Sequence, residues 1–108
     1  MTKSIDKNDV VAINLDRPRF LHFGHKALKK LGALTGKGLD TLGENDFDLE
    51  ELEKILYCGL LTDARENNEV LKLEDMEDLL DQADSYNEIL EAMNLALTNA
   101  FGAGGEKN

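Results

Sequence analysis

Between Phe47 and Ala64 the chain reads FDLEELEKILYCGLLTDA, and its polarity pattern changes halfway. In the first half Leu49, Leu52 and Leu56 recur at helical spacing among Glu50, Glu51, Glu53 and Lys54, which predicts an amphipathic helix. The second half, Ile55 to Leu61, is apolar on every side, and a helix of that kind must be covered on every side. The stretch 47–64 therefore reads as a central helix on which the other elements pack. Asp48 is placed to cap it, with Glu51 in capping-box position. Gly59 costs about 1 kcal/mol relative to alanine in a helix interior, so another helix is expected to cross closely there.

Ahead of it, Val10-Val11-Ala12-Ile13-Asn14-Leu15 is β-branched and short and reads as a strand. Asp16-Arg17-Pro18-Arg19 reads as a turn containing the single proline. The strand then pairs with residues near Phe20 or with another copy, because an open edge invites pairing. From Phe20 to Leu34 the period becomes helical: Phe20, Phe23, Ala27, Leu28, Leu31 and Leu34 share a face, and Gly36 is placed for a left-handed cap. Leu39 to Gly43 reads as a short helical turn. After the central helix, Arg65 to Glu69 is a polar loop. Leu73, Met76, Leu79, Leu80 and Ala83 mark a short helix with an acidic outer face, and Glu74 and Asp75 suit its positive end. Ser85 and Glu88 form a capping-box pattern for a last helix, striped by Tyr86, Ile89, Leu90, Met93, Ala96, Leu97, Ala100 and Phe101 and stopped by Gly102. The expected fold is mainly α: about four helices around the central one, with a short N-terminal strand or hairpin. Residues 10–102 form one domain, with flexible tails at 1–9 and 103–108.

Charge sharpens this picture. The net charge of the 108 residues is −10, which disfavours nucleic acid or an anionic membrane as partner. Residues 1–37 hold eight bases and three acids (+5), and 38–108 hold four bases and nineteen acids (−15). A basic head on an acidic body either folds back on its own chain or meets the body of the next copy. No apolar run approaches the roughly 18 residues of a membrane span, and no secretory signal opens the chain. The single cysteine, Cys58, falls in the apolar part of the central helix, where a thiol is usually inert. These features read as an intracellular protein.

Catalytic chemistry has little to build on. His22 and His25 are three apart, but two ligands make no metal site. Asp6 to Asp9 lacks the glycine and closing glutamate of a calcium loop, and the glycines between 32 and 43 precede no Gly-Lys-Ser/Thr. The acidic run Glu74-Asp75-Met76-Glu77-Asp78 reads as a solvated helix face, and no nucleophile stands among bases in a recognisable order. The expectation is a non-enzymatic protein without cofactors. Met76, Met93, Phe20, Phe23 and Phe101 each fit a core, yet together they can line a groove for a partner helix.

The order of these pieces resembles the tail assembly chaperones of long-tailed (siphovirus-type) phages and prophages. The resemblance rests on Phe20, Phe23, Ala27 to Leu31 and Leu34-Thr35-Gly36-Lys37, then on Leu56-Tyr57-Cys58-Gly59-Leu60. It continues through the acidic segment Leu73 to Asp81 and the alanine-rich close Ala96 to Gly102. Two departures are Lys72, where the family has Thr or Ser, and Pro18 at the junction of strand and helix. The resemblance implies a chaperone that binds and solubilises the tape-measure protein while tail-tube protein polymerises around it. It also implies a frameshifted longer form, a ring or spiral homo-oligomer, and residence in the host cytoplasm but not in the virion. The expected contact residues are Phe20, Phe23, Lys26, Lys29 and Lys30 on one face, and Glu74, Asp75, Met76, Glu77 and Asp78 on the other, with Met93 and Phe101. The competing reading is a small acidic regulator that mimics DNA and binds a basic nucleic-acid-binding protein.

Overall fold

A computed structural model of the chain describes residues 10–36 and 48–101. The expected tails, the helical turn at 39–43, the stop at Gly102 and the first residue of the expected central helix, Phe47, lie outside the described residues. Strand β1 (Val11–Asn14) is followed by β2 (Pro18–Leu21), α1 (His25–Thr35) and the long α2 (Leu49–Glu66). A 3-10 turn (Leu73–Asp75) then runs into the short α3 (Met76–Leu80), and α4 (Tyr86–Phe101) closes the fold. Among the described residues the protein is mainly α, four helices with an N-terminal antiparallel hairpin. None of these helices is long and apolar enough to cross a membrane.

The hairpin replaces the start of the helix expected from Phe20. β1 and β2 pair with Val11 opposite Leu21, Ala12 opposite Phe20, Ile13 opposite Arg19 and Asn14 opposite Pro18. Val11, Ile13 and Leu15 are buried while Ala12 and Asn14 are exposed, the alternation of a strand with one covered face. On β2 and just beyond it the buried set is Arg19, Leu21 and Phe23. Pro18 sits at the first residue of β2, a position a strand tolerates. Phe20 lies on the outer face, half-buried. The chain stays extended through Gly24, and α1 begins at His25. It ends as expected at Gly36, whose φ of 72° is left-handed and whose N–H donates to the Gly32 carbonyl at 2.8 Å.

Helix α2 is capped by Asp48, whose carboxylate accepts the Glu51 N–H at 2.9 Å. Its far end is a Schellman motif. Asn68 takes a left-handed φ of 59°, its N–H reaches the Arg65 carbonyl at 3.2 Å, and the Glu69 N–H reaches the Ala64 carbonyl at 2.8 Å. Of the apolar run, Ile55, Leu56, Cys58 and Leu60 are fully covered. What crosses Gly59 is the extended segment after β2, where a helix was expected: the His22 N–H donates to the Gly59 carbonyl at 2.9 Å. Helix α1, β2 and the 3-10/α3 segment pack on α2, while α4 makes its main contacts with the hairpin, chiefly β1. Ser85 accepts the Glu88 N–H at 3.2 Å at the start of α4. One core joins these layers, from Val11 and Ile13 through Leu56 and Leu60 to Met93.

Candidate functional site

Two features stand out: a cluster of ion pairs at one end of α2 and an open groove along its side. The cluster begins in the hairpin turn. Arg19 lies on the inward face of β2, so folding carries its guanidinium into the protein, where it is 6% exposed. A buried charge persists only when it is paired and hydrogen-bonded. Asp16 accepts from Arg19 Nε and Nη2 at 2.7 and 3.0 Å, a two-pronged contact. Arg19 Nη1 also donates to Glu69 Oε1 at 3.0 Å and stands 3.5 Å from Asp63 Oδ2.

Arg17 completes the set. Its Nη2 donates to Asp63 at 2.7 Å, and Nε and Nη2 donate to the two Glu69 oxygens at 3.0 Å each. Asp63 is itself 2% exposed, on the last turns of α2. The Schellman turn at Asn68 brings Glu69 back to meet both arginines. The Arg19 guanidinium holds the Asp16 carboxyl below its ordinary range, and hydrogen bonding from Arg17 does the same to Glu69. Both arginines are in turn held more firmly in their charged form, Arg17 mainly by Glu69 and Arg19 mainly by Asp16. Two cations and three carboxylates thus tie the hairpin turn to the end of the central helix. In the basic head, then, the arginines fold onto their own chain.

The lysines of the head do something else. Lys26, Lys29 and Lys30 are exposed on α1, and no ion pair holds them among the described residues. Together with Arg65 they rim a groove of about 770 Å³ between α1 and the second half of α2. Its walls and floor carry Ala27, Ala33, Cys58 and Leu61, and Glu66 is its single carboxylate. The groove is apolar inside and basic at the edge. The Cys58 thiol lies beneath this floor with no exposure, and burial pushes its pKa up to about 11. It is an inert thiol at neutral pH.

The expected contact residues separate into two sets. Lys26, Lys29, Lys30, Glu74, Asp75, Glu77, Asp78 and Phe101 are exposed. Phe23, Met76 and Met93 are buried in the core, Met76 and Met93 completely, and none of them lines the groove between α1 and α2. Met76 and Met93 lie on faces of α3 and α4 that α2 and the hairpin cover, and Phe23 lies on the extended segment against Gly59. Phe20 sits on the hairpin's outer face, not beside the lysines on a helix. The groove itself drew no notice in the sequence, although Ala27 and Ala33 are small residues of α1 among its lysines. The ion-pair cluster was also missed, because Arg17 and Arg19 resemble ordinary turn residues.

Among the described residues no group of three or more His, Cys, Asp or Glu side chains is placed to hold a metal ion. No family model matches the chain, and neither a curated protein nor a solved structure does so.

Proposed function

We propose that the protein is a non-enzymatic tail assembly chaperone that binds and solubilises the tape-measure protein during phage tail morphogenesis. The observation that carries this reading is the groove between α1 and α2, a largely apolar trough of about 770 Å³ lined also by four cations. A tape-measure protein exposes long apolar helical stripes before it is enclosed, and a chaperone must cover them without becoming insoluble itself. The groove offers the cover, and the charged exterior keeps the complex in solution. Contacts of this kind are individually weak, which suits a client that is later released to the tail tube. In this reading the chaperone acts in several copies in the host cytoplasm, stays out of the virion, and shares its task with a frameshifted longer form.

Co-expression with a tape-measure fragment tests the reading. The fragment should become soluble and co-purify with the protein. Ala33→Glu, placed at an exposed position of the groove, should abolish both effects while leaving the helical circular dichroism unchanged. A fragment that stays insoluble with the wild-type protein would sink the proposal.

The exposed acids of the 73–88 region favour the second reading, an acidic DNA mimic. The basic groove weighs against it. Competition between this protein and duplex DNA for a basic nucleic-acid-binding protein distinguishes the two.

A further inference from the structure

The acidic side of the molecule is as one-sided as the groove. Between Leu73 and Glu88 the chain holds seven acids and no base, and all seven are exposed. Next to this edge stands Val70, 82% exposed, beside Asp75 and Asp78 along a shallow furrow. Arg19 lines the same furrow but is paired with Asp16 and Glu69, and Lys72 lies two residues on, so Val70 is an apolar knob whose surround is acidic on the side of Asp75 and Asp78. The groove is its inverse, an apolar trough with Lys26, Lys29, Lys30 and Arg65 around it. The two surfaces do not meet within one chain: every residue lining the groove falls in 22–33 or 58–66, and none comes from the acidic edge.

We infer that the groove of one copy receives the acidic edge of a second copy, with Val70 directed at the apolar floor. Charge complementarity selects this occupant. At a net −10 two copies repel each other at long range, and an arrangement that faces the acidic edge to the lysines offsets that repulsion. At an ionic strength of about 0.15 M screening removes most repulsion beyond roughly 8 Å and leaves contact pairs largely intact. Because the two surfaces differ, the contact is heterologous, and repeated it builds a chain or ring of copies. This deepens the chaperone reading by naming a partner for the same groove. Client and neighbour then compete for it, so that assembly of the coat and release of the client are linked.

The test uses two full-length variants. One reverses the groove (Lys26→Glu, Lys29→Glu, Lys30→Glu) and the other reverses the edge (Glu74→Lys, Glu77→Lys, Asp78→Lys). Asp75 is left alone because its carboxylate accepts the Lys72 N–H at 3.0 Å. The net charges become −10 − 6 = −16 and −10 + 6 = −4, so an equimolar pair carries the same −20 as two wild-type copies. In sedimentation at that ionic strength the wild-type protein should grow with concentration beyond its 12.0 kDa monomer. Each variant alone should remain a monomer, and the equimolar mixture, in which both groove–edge contacts are again complementary, should assemble as the wild type does, with the two variants alternating. Circular dichroism checks that each variant is folded, and the neutral set Lys26→Gln, Lys29→Gln, Lys30→Gln replaces any groove variant that is not. A wild-type protein that stays monomeric, variants that still assemble, or a mixture that stays monomeric each overturns the inference. Solubilisation of the tape-measure fragment is scored separately. A monomeric wild type that still solubilises it sinks the self-docking and spares the chaperone reading, and an assembling protein that ignores the fragment does the reverse.

Discussion

The backbone N–H of His22 donates to the carbonyl of Gly59 at 2.9 Å, so the extended chain leaving β2 lies directly on the central helix. A Cβ on Gly59 would stand 2.7 Å from Phe23 Cζ and 3.0 Å from Leu21 Cδ2. Both neighbours are buried, and the hydrogen bond keeps the segment from backing away. Gly59→Ala gains about 1 kcal/mol in helix propensity. Overpacking of this kind costs about 1–3 kcal/mol, and here it should win. We expect a net loss of about 1 kcal/mol in urea unfolding. Phe23→Leu, destabilising in the wild-type background, should cost less in the Gly59→Ala background. Additive losses in that double-mutant cycle would remove the close-approach account.

The Arg19–Asp63 region should behave as a single fastening. Removing one member of a buried ion-pair cluster strands the others in a poor dielectric, which typically costs about 3–5 kcal/mol. Asp63→Ala takes away the carboxylate that Arg17 touches at 2.7 Å and leaves both guanidinium groups sharing Glu69, with Asp16 on Arg19 alone. We expect a loss within that range, measured by chemical denaturation. Exposed acids such as Asp78 should cost less than about 0.5 kcal/mol when changed to Ala. A loss at Asp63 no larger than at Asp78 would show that the cluster does not hold the hairpin.

The same cluster sets a dependence on pH. Asp16 and Glu69 have folded-state pKa values below their ordinary 3.8 and 4.5, so each contributes stability that is present above the ordinary value. That contribution is lost as the pH falls through the lowered folded value. Glu53 works in the opposite sense, since burial, with Glu77 and Glu50 nearby, raises its pKa. Acidification from neutral pH to below pH 4 should therefore destabilise the wild-type protein. In Arg19→Met, Asp16 has lost its partner and the loss on acidification should be smaller. Equal acid sensitivity in the two proteins would contradict the assignment.

How far the fold was legible depended on whether a side chain's role matched its type. Asp48, Gly36 and Ser85 cap helices as their sequence positions predicted, because capping is a local event. The central helix was legible from its leucine spacing. The second strand was legible only as one of two options, a partner for the first strand near Phe20, because its inward set is Arg19, Leu21 and Phe23 and the first of these is charged. With Arg19 in a turn, the spacing of Phe20 and Phe23 fits a helix as well as a strand, and the helical period extends too far toward the N-terminus. The main partner of Arg19, Asp16, is three residues away, but the pairing is completed by Glu69, 50 residues on, beyond any local pattern. The groove was illegible for a similar reason: it exists only where α1 and α2 come together.

Core and surface methionines and aromatics divide just as sharply. Met93 has no exposure and Phe101 is 45% exposed, although both lie on the apolar stripe of α4. Met93→Ala should cost about 2–5 kcal/mol by opening a cavity. Phe101→Ala should cost well under 1 kcal/mol. Thermal melts of the two variants give the comparison, and similar shifts would mean that the α4 stripe is buried along its whole length.

Cys58 provides a probe of opening at the groove floor. Its thiol has no exposure, and burial pushes its pKa up to about 11, although the Lys30 charge opposes that rise. A thiol reagent attacks the thiolate, and at about pH 8 little of this thiol is ionised. Reaction therefore requires the α1–α2 contact to open, and its rate should fall well below that of the unfolded chain. Ala33→Glu changes an exposed groove position without uncovering Cys58, so its labelling rate should stay close to the wild-type value. Leu31→Ala, which hollows the buried side of α1, should raise the rate severalfold. Labelling of the native protein as fast as in urea would show that α1 does not lie stably against α2, and the groove would then have no fixed shape to offer a partner.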